Sequence, residues 1–394
     1  MLEHVIWWQV YPLGAVGAPI RTEHGHSSHR LSRLEAWLDY AVRLGCNGLL
    51  LNPIFQSVSH GYDTLDHFRL DSRLGDDDDF DSLLAQCHSR GIGVVLDGVF
   101  NHVSRQHPFV TERPEMIARD GDSPRAWEGH ADLVELDHSN PAVVDFVVDV
   151  MCHWLRRGIS GWRLDVAYAV PVSFWRQVCA RVREEFPDAI FIGEVIHGDY
   201  IGFVEASTLT TVTQYELWKA IWSALHDANL WELAHAIDRH AEFCTVFLPQ
   251  TFIGNHDVSR IASLVGPGLA ALAAGVLMTL PGAPSIYYGD EQGYTGLKRD
   301  DWGGDDDVRP LLPADPAELS AFGADIERAY QEAVAFRRRH SWLSNGQVVV
   351  LERDNNALTY RISSGEKACE VKLDLSSGQL TAQAEGDLLT LGRR

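Results

Sequence analysis

Four short motifs carry residues that can cleave a covalent bond, and each has a carboxylate at the end of an apolar run. The motifs are Asp97-Gly-Val-Phe-Asn-His102, Gly161-Trp-Arg-Leu-Asp165, Phe191-Ile-Gly-Glu194 and Gly254-Asn-His-Asp257. A carboxylate that ends a buried strand costs free energy unless it is paired or used. One such residue commonly caps the next helix. Four of them, accompanied by two histidines and an arginine, indicate a reactive site.

Two of these carboxylates have the surroundings of a nucleophile and of a proton donor. Arg163 and Asp165 are two residues apart on a strand, so both point to the same side, and the guanidinium should hold Asp165 ionised. Glu194 follows Ile-Phe-Ile-Gly and precedes Val-Ile, an apolar setting expected to raise its pKa and suit it to donate a proton. An ionised carboxylate beside a protonated one is the apparatus of retaining glycoside hydrolysis.

Eight apolar runs alternate with helical segments and are predicted to position these residues. We expect strands at His4–Tyr11, Gly48–Asn52, Gly93–Asp97, Gly161–Asp165, Ile190–Glu194, Leu209–Gln214, Cys244–Phe252 and Ser285–Tyr288. Most do not alternate, as expected for strands that are buried on both faces. The clearest helix is Pro141–Arg157, with Asn140 as its N-cap and Gly158 at its end. The alternation predicts an α/β fold, a (β/α)8 TIM barrel.

The spacing of the four carboxylates assigns them to particular strands. Asp165 and Glu194 are 29 residues apart, which is one strand–helix unit, and Asp257 follows 63 residues later, or two units. Asp97 precedes Asp165 by 68 residues, which is one unit and an insertion of nearly 40. The carboxylates therefore belong to strands 3, 4, 5 and 7. All four should lie at the C-terminal face of the barrel, where barrel enzymes keep their active sites.

The sequence predicts two domains. Residues 1–341 form the barrel, with a short insertion at about 103–137, and residues 342–394 form a small C-terminal β domain. The latter is predicted from alternating runs at Gln347–Glu352 and Leu358–Ile362, which turn signals separate.

In this order and spacing, the four motifs resemble the α-amylase family, glycoside hydrolase family 13, over about residues 5–340. The resemblance implies that Asp165 is the nucleophile, that Glu194 is the general acid/base, and that Asp257 is the third carboxylate, which stabilises an oxocarbenium-like transition state. It implies action on α-1,4-glucosidic bonds of maltooligosaccharides, cyclodextrins or related α-glucans.

The same resemblance implies a set of substrate-binding residues around the sugar that is cleaved. Asp97, His102, Arg163 and His256 match the family's residues at this subsite, where the histidines donate hydrogen bonds to sugar hydroxyls. His60-Gly-Tyr-Asp63 resembles the segment after strand 2, so that Tyr62 is expected to stack on the sugar and Asp63 to lie beside it. Asp305 and Arg309 resemble the pair that binds hydroxyls of the next glucosyl unit.

The sequence departs from the family at its calcium site. Many members hold calcium through an Asn, an Asp of the insertion and a His four residues after the nucleophile. Asn101 is present and Asp132 is a candidate, but Ala169 replaces the His and Tyr168 the usual Lys. A structural calcium ion is therefore doubtful, and no cofactor is expected to be required.

Charge and composition favour an uncharged substrate. The 394 residues include 33 Lys and Arg against 55 Asp and Glu, a formal net charge of −22. This field disfavours nucleic acid and anionic membranes as partners. The six cysteines lie singly, which predicts buried thiols, and the N-terminus lacks the basic region of a secretion signal. We expect a cytoplasmic enzyme, whose oligomeric state the sequence does not determine.

Three other interpretations compete with an α-glucan hydrolase. The same barrel could carry out transglycosylation or sugar isomerisation, giving α-glucan or trehalose-type products. A non-catalytic sugar-binding homologue is disfavoured because all three carboxylates are present. The H-x-H pair of His24 and His26, with His29 nearby, is of the kind that binds a metal in other barrel hydrolases, but it lies in a polar loop well beyond strand 1.

Overall fold

Eight short parallel strands form the central sheet, as the alternation of strands and helices predicts. The computed structural model describes residues 2–20, 28–301 and 303–392. The strands are β1 (Trp7–Val10), β2 (Gly48–Leu51), β3 (Gly93–Gly98), β4 (Gly161–Leu164), β5 (Ile190–Gly193), β6 (Thr211–Val212), β7 (Gln250–Phe252) and β8 (Ala283–Tyr287). Their order is β6-β5-β4-β3-β2-β1-β8-β7. A parallel bridge between Thr213 and Gln250 connects the two ends, so that the sheet is a nearly closed barrel.

Helices follow the strands along the chain. A short one, Pro12–Ala15, follows β1, and the longer ones are Glu35–Leu44, Asp77–Ser89, Pro141–Arg157, Val172–Glu185, Tyr200–Ser207, Tyr215–His226, Leu230–Phe243, Ile261–Thr279 and Ala324–Arg339. The helix Pro141–Arg157 is confirmed with its predicted ends. The Asn140 side chain accepts from the Ala142 N–H, and Gly158 ends the helix at φ 112°, a conformation in which Gly carries no Cβ penalty.

One predicted strand is largely wrong. The run Cys244–Phe252 was expected to be extended, but only Gln250–Phe252 is a strand, because the helix Leu230–Phe243 continues into turns. The Phe247 N–H still donates to the Phe243 carbonyl. A short apolar run can pack as a helix end or as a strand, and periodicity does not separate the two.

The insertion after β3 builds a small antiparallel sheet of its own. Its strands are His102–Ser104, Ala126–Trp127 and His130–Glu135, and the last of these lies between the other two. A helical turn, Phe109–Glu112, and a short pair, Arg119–Asp120 with Ser123–Pro124, complete the segment.

The C-terminal segment is a five-stranded antiparallel meander. Its strands, in spatial and chain order, are β9 (Gln347–Arg353), β10 (Ala357–Ser364), β11 (Lys367–Asp374), β12 (Gln379–Ala384) and β13 (Asp387–Gly392). The predicted antiparallel sheet is confirmed, whereas the proposed domain boundary at 341/342 stays a prediction.

The chain divides into two compact units. One comprises Met1–Gln9, Asp39–Gly48 and Thr213–Arg394, and the other comprises Val10–Leu38 and Leu49–Val212. The predicted site residues are distributed over both units.

One described helix, Ile261–Thr279, is apolar and long enough to cross a membrane by length and composition, and 61% of its most apolar window is buried. It is kinked at Gly266, whose φ is 78°, just before Pro267, and the residues from Ala270 to Thr279 are buried. The predicted buried thiols are confirmed at five cysteines, and Cys244 is half-buried. A cytoplasmic location stays a prediction.

Candidate active site

Arg163 is the centre of the first group of predicted residues. Its Nη1 lies 2.7 Å from Asp97 Oδ1 and 3.1 Å from Asp165 Oδ1, and its Nη2 lies 2.7 Å from Glu194 Oε1. All four residues are at most 5% exposed. We call them the Arg163 cluster. Burial alone would lower the pKa of Arg163, but the carboxylates of Asp97 and Glu194 outweigh it and raise the pKa well above its usual value. The cluster therefore holds one fixed positive charge among three carboxylates.

The barrel register explains how these side chains meet. Arg163 pairs with Asp97 on β3 and with Ile192 on β5, while Asp165 and Glu194 directly follow their strands. Alternation along a strand directs Arg163 and Asp165 to the same side, as the sequence predicts. Parallel neighbours end at one rim, which brings Glu194 to the same guanidinium.

Asp97 acts mainly on its protein neighbours. Besides Arg163, its Oδ2 accepts from Asn52 Nδ2 and from the Tyr62 hydroxyl, each at 2.9 Å. Asn52 Nδ2 also lies 3.1 Å from the Tyr62 oxygen. Asp97 is thus fully hydrogen-bonded, and it orients both Arg163 and Tyr62. Tyr62 itself is half-buried, so part of its ring remains accessible to a sugar.

The surroundings of Glu194 differ from the apolar setting that the sequence suggests. Its Oε1 contacts the Arg163 guanidinium, and its Oε2 accepts from the Val166 N–H at 2.9 Å. Val166 has φ 49° and ψ 35°, which is the left-handed region that a β-branched residue avoids. Such strain costs about 1–3 kcal/mol and is commonly found at functional sites. Here it accompanies an N–H that is directed to the acid/base candidate.

His102 is neutral and fully engaged by its neighbours. Burial lowers its pKa to about 4. Its Nε2 lies 3.1 Å from the Tyr62 carbonyl, which can only accept, and its Nδ1 lies 3.2 Å from Asn101 Nδ2. Trp127 of the insertion lies parallel to the imidazole, with ring centroids 6.0 Å apart. His102 would have to share its Nε2 proton to donate to a sugar hydroxyl.

Asp63 is directed into its own loop. It is 7% exposed, its Oδ1 accepts from the Ser59 N–H at 3.1 Å, and its Oδ2 accepts from the Ser59 hydroxyl. This arrangement fixes the loop that carries Tyr62. These two hydrogen bonds give Asp63 a role in shaping the loop, and its contact with substrate stays a prediction.

Asp257 is the centre of the second group, which lies in the other unit. His256 Nε2 is 2.9 Å from Asp257 Oδ2, and Arg309 Nη2 is 3.1 Å from Asp257 Oδ1. The Arg309 Nη2 also lies 3.0 Å from Asp305 Oδ2, and Lys298 Nζ contacts Asp305 Oδ1 at 2.5 Å. We call these five residues the Asp257 cluster. Both oxygens of Asp257 therefore face hydrogen-bond donors.

A glutamine on β1 sets the tautomer of His256. Gln9 Nε2 lies 3.1 Å from His256 Nδ1. With the amide assigned in this way, Nδ1 accepts and the ring proton is on Nε2, directed to Asp257. Both His256 and Gln9 are almost fully buried, so no rearrangement at the surface disturbs this chain of contacts.

Sequence reasoning missed Gln9, Asn52 and Lys298. Gln9 and Asn52 lie far along the chain from His256 and Asp97, whereas Lys298 is close in sequence to Asp305. None of the three belongs to a motif that the sequence made conspicuous. The first two offered one signal. They are polar residues within or just after apolar strands, which is the same cost of burial that identified the four carboxylates.

The expected calcium ligands do not converge. His102, Val103 and Ser104 pair with Glu135, Val134 and Leu133, and the Leu136 N–H donates to the Asn101 carbonyl. Asp132 lies four residues along that strand from Leu136, about 13 Å away, and is exposed. Ligands of one calcium ion lie about 2.3–2.6 Å from it. Asn101 and Asp132 therefore do not fit a shared calcium ion, and a calcium site is not supported at these residues.

The alternative metal-binding pair, His24 and His26, lies outside the described residues. His29 is described, and its Nδ1 is 2.7 Å from Asp79 Oδ2. Asp79 and Asp76 form a capping box at the start of the helix Asp77–Ser89. Helix capping accounts for these carboxylates.

Comparison with known proteins gives the family. Residues 31–127 and 125–347 match the family described as "Alpha amylase, catalytic domain". A cyclomaltodextrinase of Geobacillus thermopakistaniensis is 29% identical over 379 residues, or 86% of this chain, and the chain spans 61% of that relative's length. A 4-alpha-glucanotransferase of Thermotoga neapolitana is 26% identical over 88% of this chain and 91% of its own length.

A solved structure of similar length completes the comparison. It is a cyclic alpha-maltosyl-(1-->6)-maltose hydrolase from Arthrobacter globiformis in complex with maltose, with a TM-score of 0.85 and 25% identity over 99% of both chains. The family match covers most of the chain, and the matched residues include both clusters. The chain belongs to the α-amylase family.

Proposed function

We propose that this protein is a retaining glycoside hydrolase that cleaves α-1,4-glucosidic bonds of short or cyclic α-glucans. The observation that carries the proposal is the Arg163 guanidinium, which contacts Asp165 and Glu194 at once. It thereby brings together two buried carboxylates, which is the machinery that retaining hydrolysis requires. Membership of the α-amylase family supports the substrate class, as does the cyclic α-glucan named for the Arthrobacter structure.

The reaction begins with Asp165 as nucleophile. Its carboxylate attacks the anomeric carbon while the Glu194 carboxyl gives a proton to the departing glucosidic oxygen. The product of this step is a covalent β-glycosyl-enzyme. Glu194 then takes a proton from water, which attacks the same carbon and releases the sugar with its α configuration.

Asp257 is proposed to stabilise the positive charge that develops on the sugar ring. Its carboxylate is held by His256 and Arg309, so its geometry is fixed before the substrate arrives. Arg309 and Asp305 are proposed to bind hydroxyls of the next glucosyl unit, and Tyr62 to stack on the sugar that is cleaved.

Substitution of the two carboxylates tests the proposal. On a panel of maltotriose, β-cyclodextrin, pullulan, isomaltose and starch, the wild-type protein should release glucose or maltose from α-1,4-linked substrates. Asp165→Asn should lower kcat by at least about 10⁴-fold, and Glu194→Gln by about 10²–10⁴-fold. Asp188→Asn and Glu184→Gln, at exposed positions before β5, are matched controls and should retain full activity. Near wild-type turnover by Asp165→Asn would refute the assignment.

A glucan transferase is the second candidate. It is favoured by one observation, that the 4-alpha-glucanotransferase is matched over 91% of its own length. Hydrolysis and transfer share the glycosyl-enzyme and differ in whether water or a sugar hydroxyl attacks it. Incubation with concentrated maltotriose separates them, because a transferase makes oligosaccharides longer than three units and a hydrolase makes only shorter ones.

A further inference from the structure

We propose that Arg260, Tyr287 and Tyr288 are positioning residues, which hold the backbone on both sides of Arg309 and thereby set the contact between Arg309 and Asp257. The inference rests on the proposed function, because it deepens the account of that site. None of the three belongs to the residues that the family resemblance assigns to substrate.

The two carbonyl groups that flank Arg309 are held by buried side chains. The Val308 carbonyl accepts from the Tyr287 hydroxyl at 2.9 Å and from Arg260 Nη2 at 3.0 Å. The Pro310 carbonyl accepts from the Tyr288 hydroxyl at 2.8 Å. Both tyrosines lie at the end of β8 and are at most 1% exposed, so their hydroxyls cannot exchange these partners for bulk water.

Arg260 connects these hydrogen bonds, which we call the clamp on residues 308–310, to the segment that carries Asp257. It lies three residues after Asp257 and is 1% exposed. Its Nη1 donates to the Tyr288 carbonyl at 2.9 Å and to Asp290 Oδ1 at 2.8 Å. The rings of Tyr287 and Tyr288 lie 4.5 and 5.3 Å from its guanidinium carbon. A guanidinium has donors in a fixed fork, so Arg260 can hold three acceptors in one geometry.

A second attachment fixes the beginning of the same loop. The Arg260 N–H donates to the Gly296 carbonyl at 3.0 Å, and the Lys298 N–H donates to Ser259 Oγ at 3.0 Å. The loop that bears Lys298, Asp305 and Arg309 is therefore attached at both ends to residues directly after Asp257.

The clamp sets where the Arg309 guanidinium lies. Its Nε donates to the His256 carbonyl at 3.0 Å, and its Nη2 contacts Asp257 and Asp305. If the backbone at 308–310 shifts, these three contacts move together. A misplacement of about 1 Å at a reacting centre can lower the rate about 100-fold. Buried groups that position Arg309 therefore affect the rate without touching the sugar.

A double-mutant cycle tests the coupling. Tyr288→Phe removes only the hydroxyl that holds Pro310, and it should lower kcat/KM on the best wild-type substrate about three- to tenfold. Tyr287→Phe should lower it less, because Arg260 still holds Val308. In an Arg309→Lys background, Tyr288→Phe should cost less than about twofold, since the group that it positions is already gone. A merely structural tyrosine would cost the same in both backgrounds.

Tyr360→Phe is the matched control. Tyr360 is also buried and its hydroxyl bonds Thr279, but it lies in the C-terminal sheet, so this variant should leave kcat/KM unchanged in both backgrounds. If the wild-type protein cleaves α-glucans and Tyr288→Phe behaves like Tyr360→Phe, the inference fails while the proposed function stands.

A crystal structure of the Tyr287→Phe/Tyr288→Phe variant tests the inference without any activity. We expect the Arg309 Nη2 to Asp257 Oδ1 distance to lengthen beyond hydrogen-bond range. A distance that stays near 3.1 Å would overturn the inference, whatever the enzyme does in solution. Absence of activity in the wild-type protein would instead refute the proposed function. The Arg309 to Asp257 distance in the variant would then still decide the inference.

Discussion

At the scale of residues, one guanidinium organises the first group of site residues. Arg163 is 3% exposed and contacts Asp97, Asp165 and Glu194. Burying three carboxylates without it would leave uncompensated charge, which is among the costliest defects in a protein interior. The sequence predicted its contact with Asp165 from their spacing on one strand. Its contact with Glu194 was not predicted, because it depends on how adjacent strands align.

Arg163→Lys tests this role. A lysine ammonium is a single point charge and cannot reach three carboxylates in the fixed geometry of a guanidinium. We expect kcat to fall by about 100-fold or more and the free energy of unfolding to drop by about 3–5 kcal/mol. Steady-state kinetics and urea unfolding measure the two effects. Arg156→Lys, in an exposed pair with Glu185, is the control and should change stability by less than about 1 kcal/mol; equal effects of the two substitutions would contradict the account.

At the scale of elements, prediction from the sequence succeeded where a local signal was complete. The helix Pro141–Arg157 has an N-cap, a proline in its first turn and a terminating glycine, and its ends were predicted correctly. The strand at Cys244–Phe252 failed, because an apolar run without caps fits a helix end and a strand equally well. The barrel was still recognised, since it depends on the alternation of eight units and not on any one boundary.

The cap of this helix is separately testable. Asn140 Oδ1 accepts from the Ala142 N–H, and its Nδ2 donates to the Glu115 carbonyl of the insertion at 2.7 Å. Asn140→Ala should lower the free energy of unfolding by about 1–2 kcal/mol. Asn140→Asp keeps the acceptor and loses only the donor to Glu115, so it should lose less. A urea titration that ranks Asn140→Asp as the more damaging substitution would show that the cap is not the dominant contact.

At the scale of the whole molecule, burial of charge links stability to pH. Burial raises the pKa of Asp290 to about 6 and that of Glu291 to about 7. The Glu291 carboxyl is bonded to the Tyr40 hydroxyl and the Gly289 N–H. A carboxyl whose pKa is raised in the folded state binds protons more tightly there than when unfolded. Its contribution to stability is therefore fully present below about pH 4.5 and is lost as pH rises through about 7.

Glu291→Gln tests this linkage, because a glutamine cannot ionise. The free energy of unfolding of the variant, relative to wild type, should rise by up to about 3 kcal/mol between pH 4.5 and pH 8. Urea unfolding at the two pH values measures the difference. Glu184→Gln, at an exposed position, should show no such change. If the stability of Glu291→Gln relative to wild type is the same at both pH values, the raised pKa of the buried Glu291 carboxyl is contradicted.

The sequence predicted the order of the four carboxylates along the barrel, and it named three side chains that contact them in the structure, Arg163, His256 and Arg309. It did not predict several further polar residues that contact the two clusters. Gln9, Asn52 and Arg260 contact partners far along the chain, namely His256, Asp97 and Asp290. No local pattern distinguishes these residues, or Lys298, from other polar residues. The candidate calcium ligands are the opposite case, in which a sequence match is not matched by proximity. Asn101 and Asp132 resemble calcium ligands of the family in sequence, but the register of the insertion separates them.

The central claim is that a covalent β-glycosyl-enzyme on Asp165 yields a product with retained configuration. Proton NMR of the anomeric region during the first minutes of maltooligosaccharide cleavage measures this directly, with Asp165→Asn as the blank. We predict that the α-anomer of the released sugar appears first and then equilibrates to the mixture. Initial release of the β-anomer would mean that water attacks directly with inversion, and it would contradict the assignment of Asp165 as nucleophile.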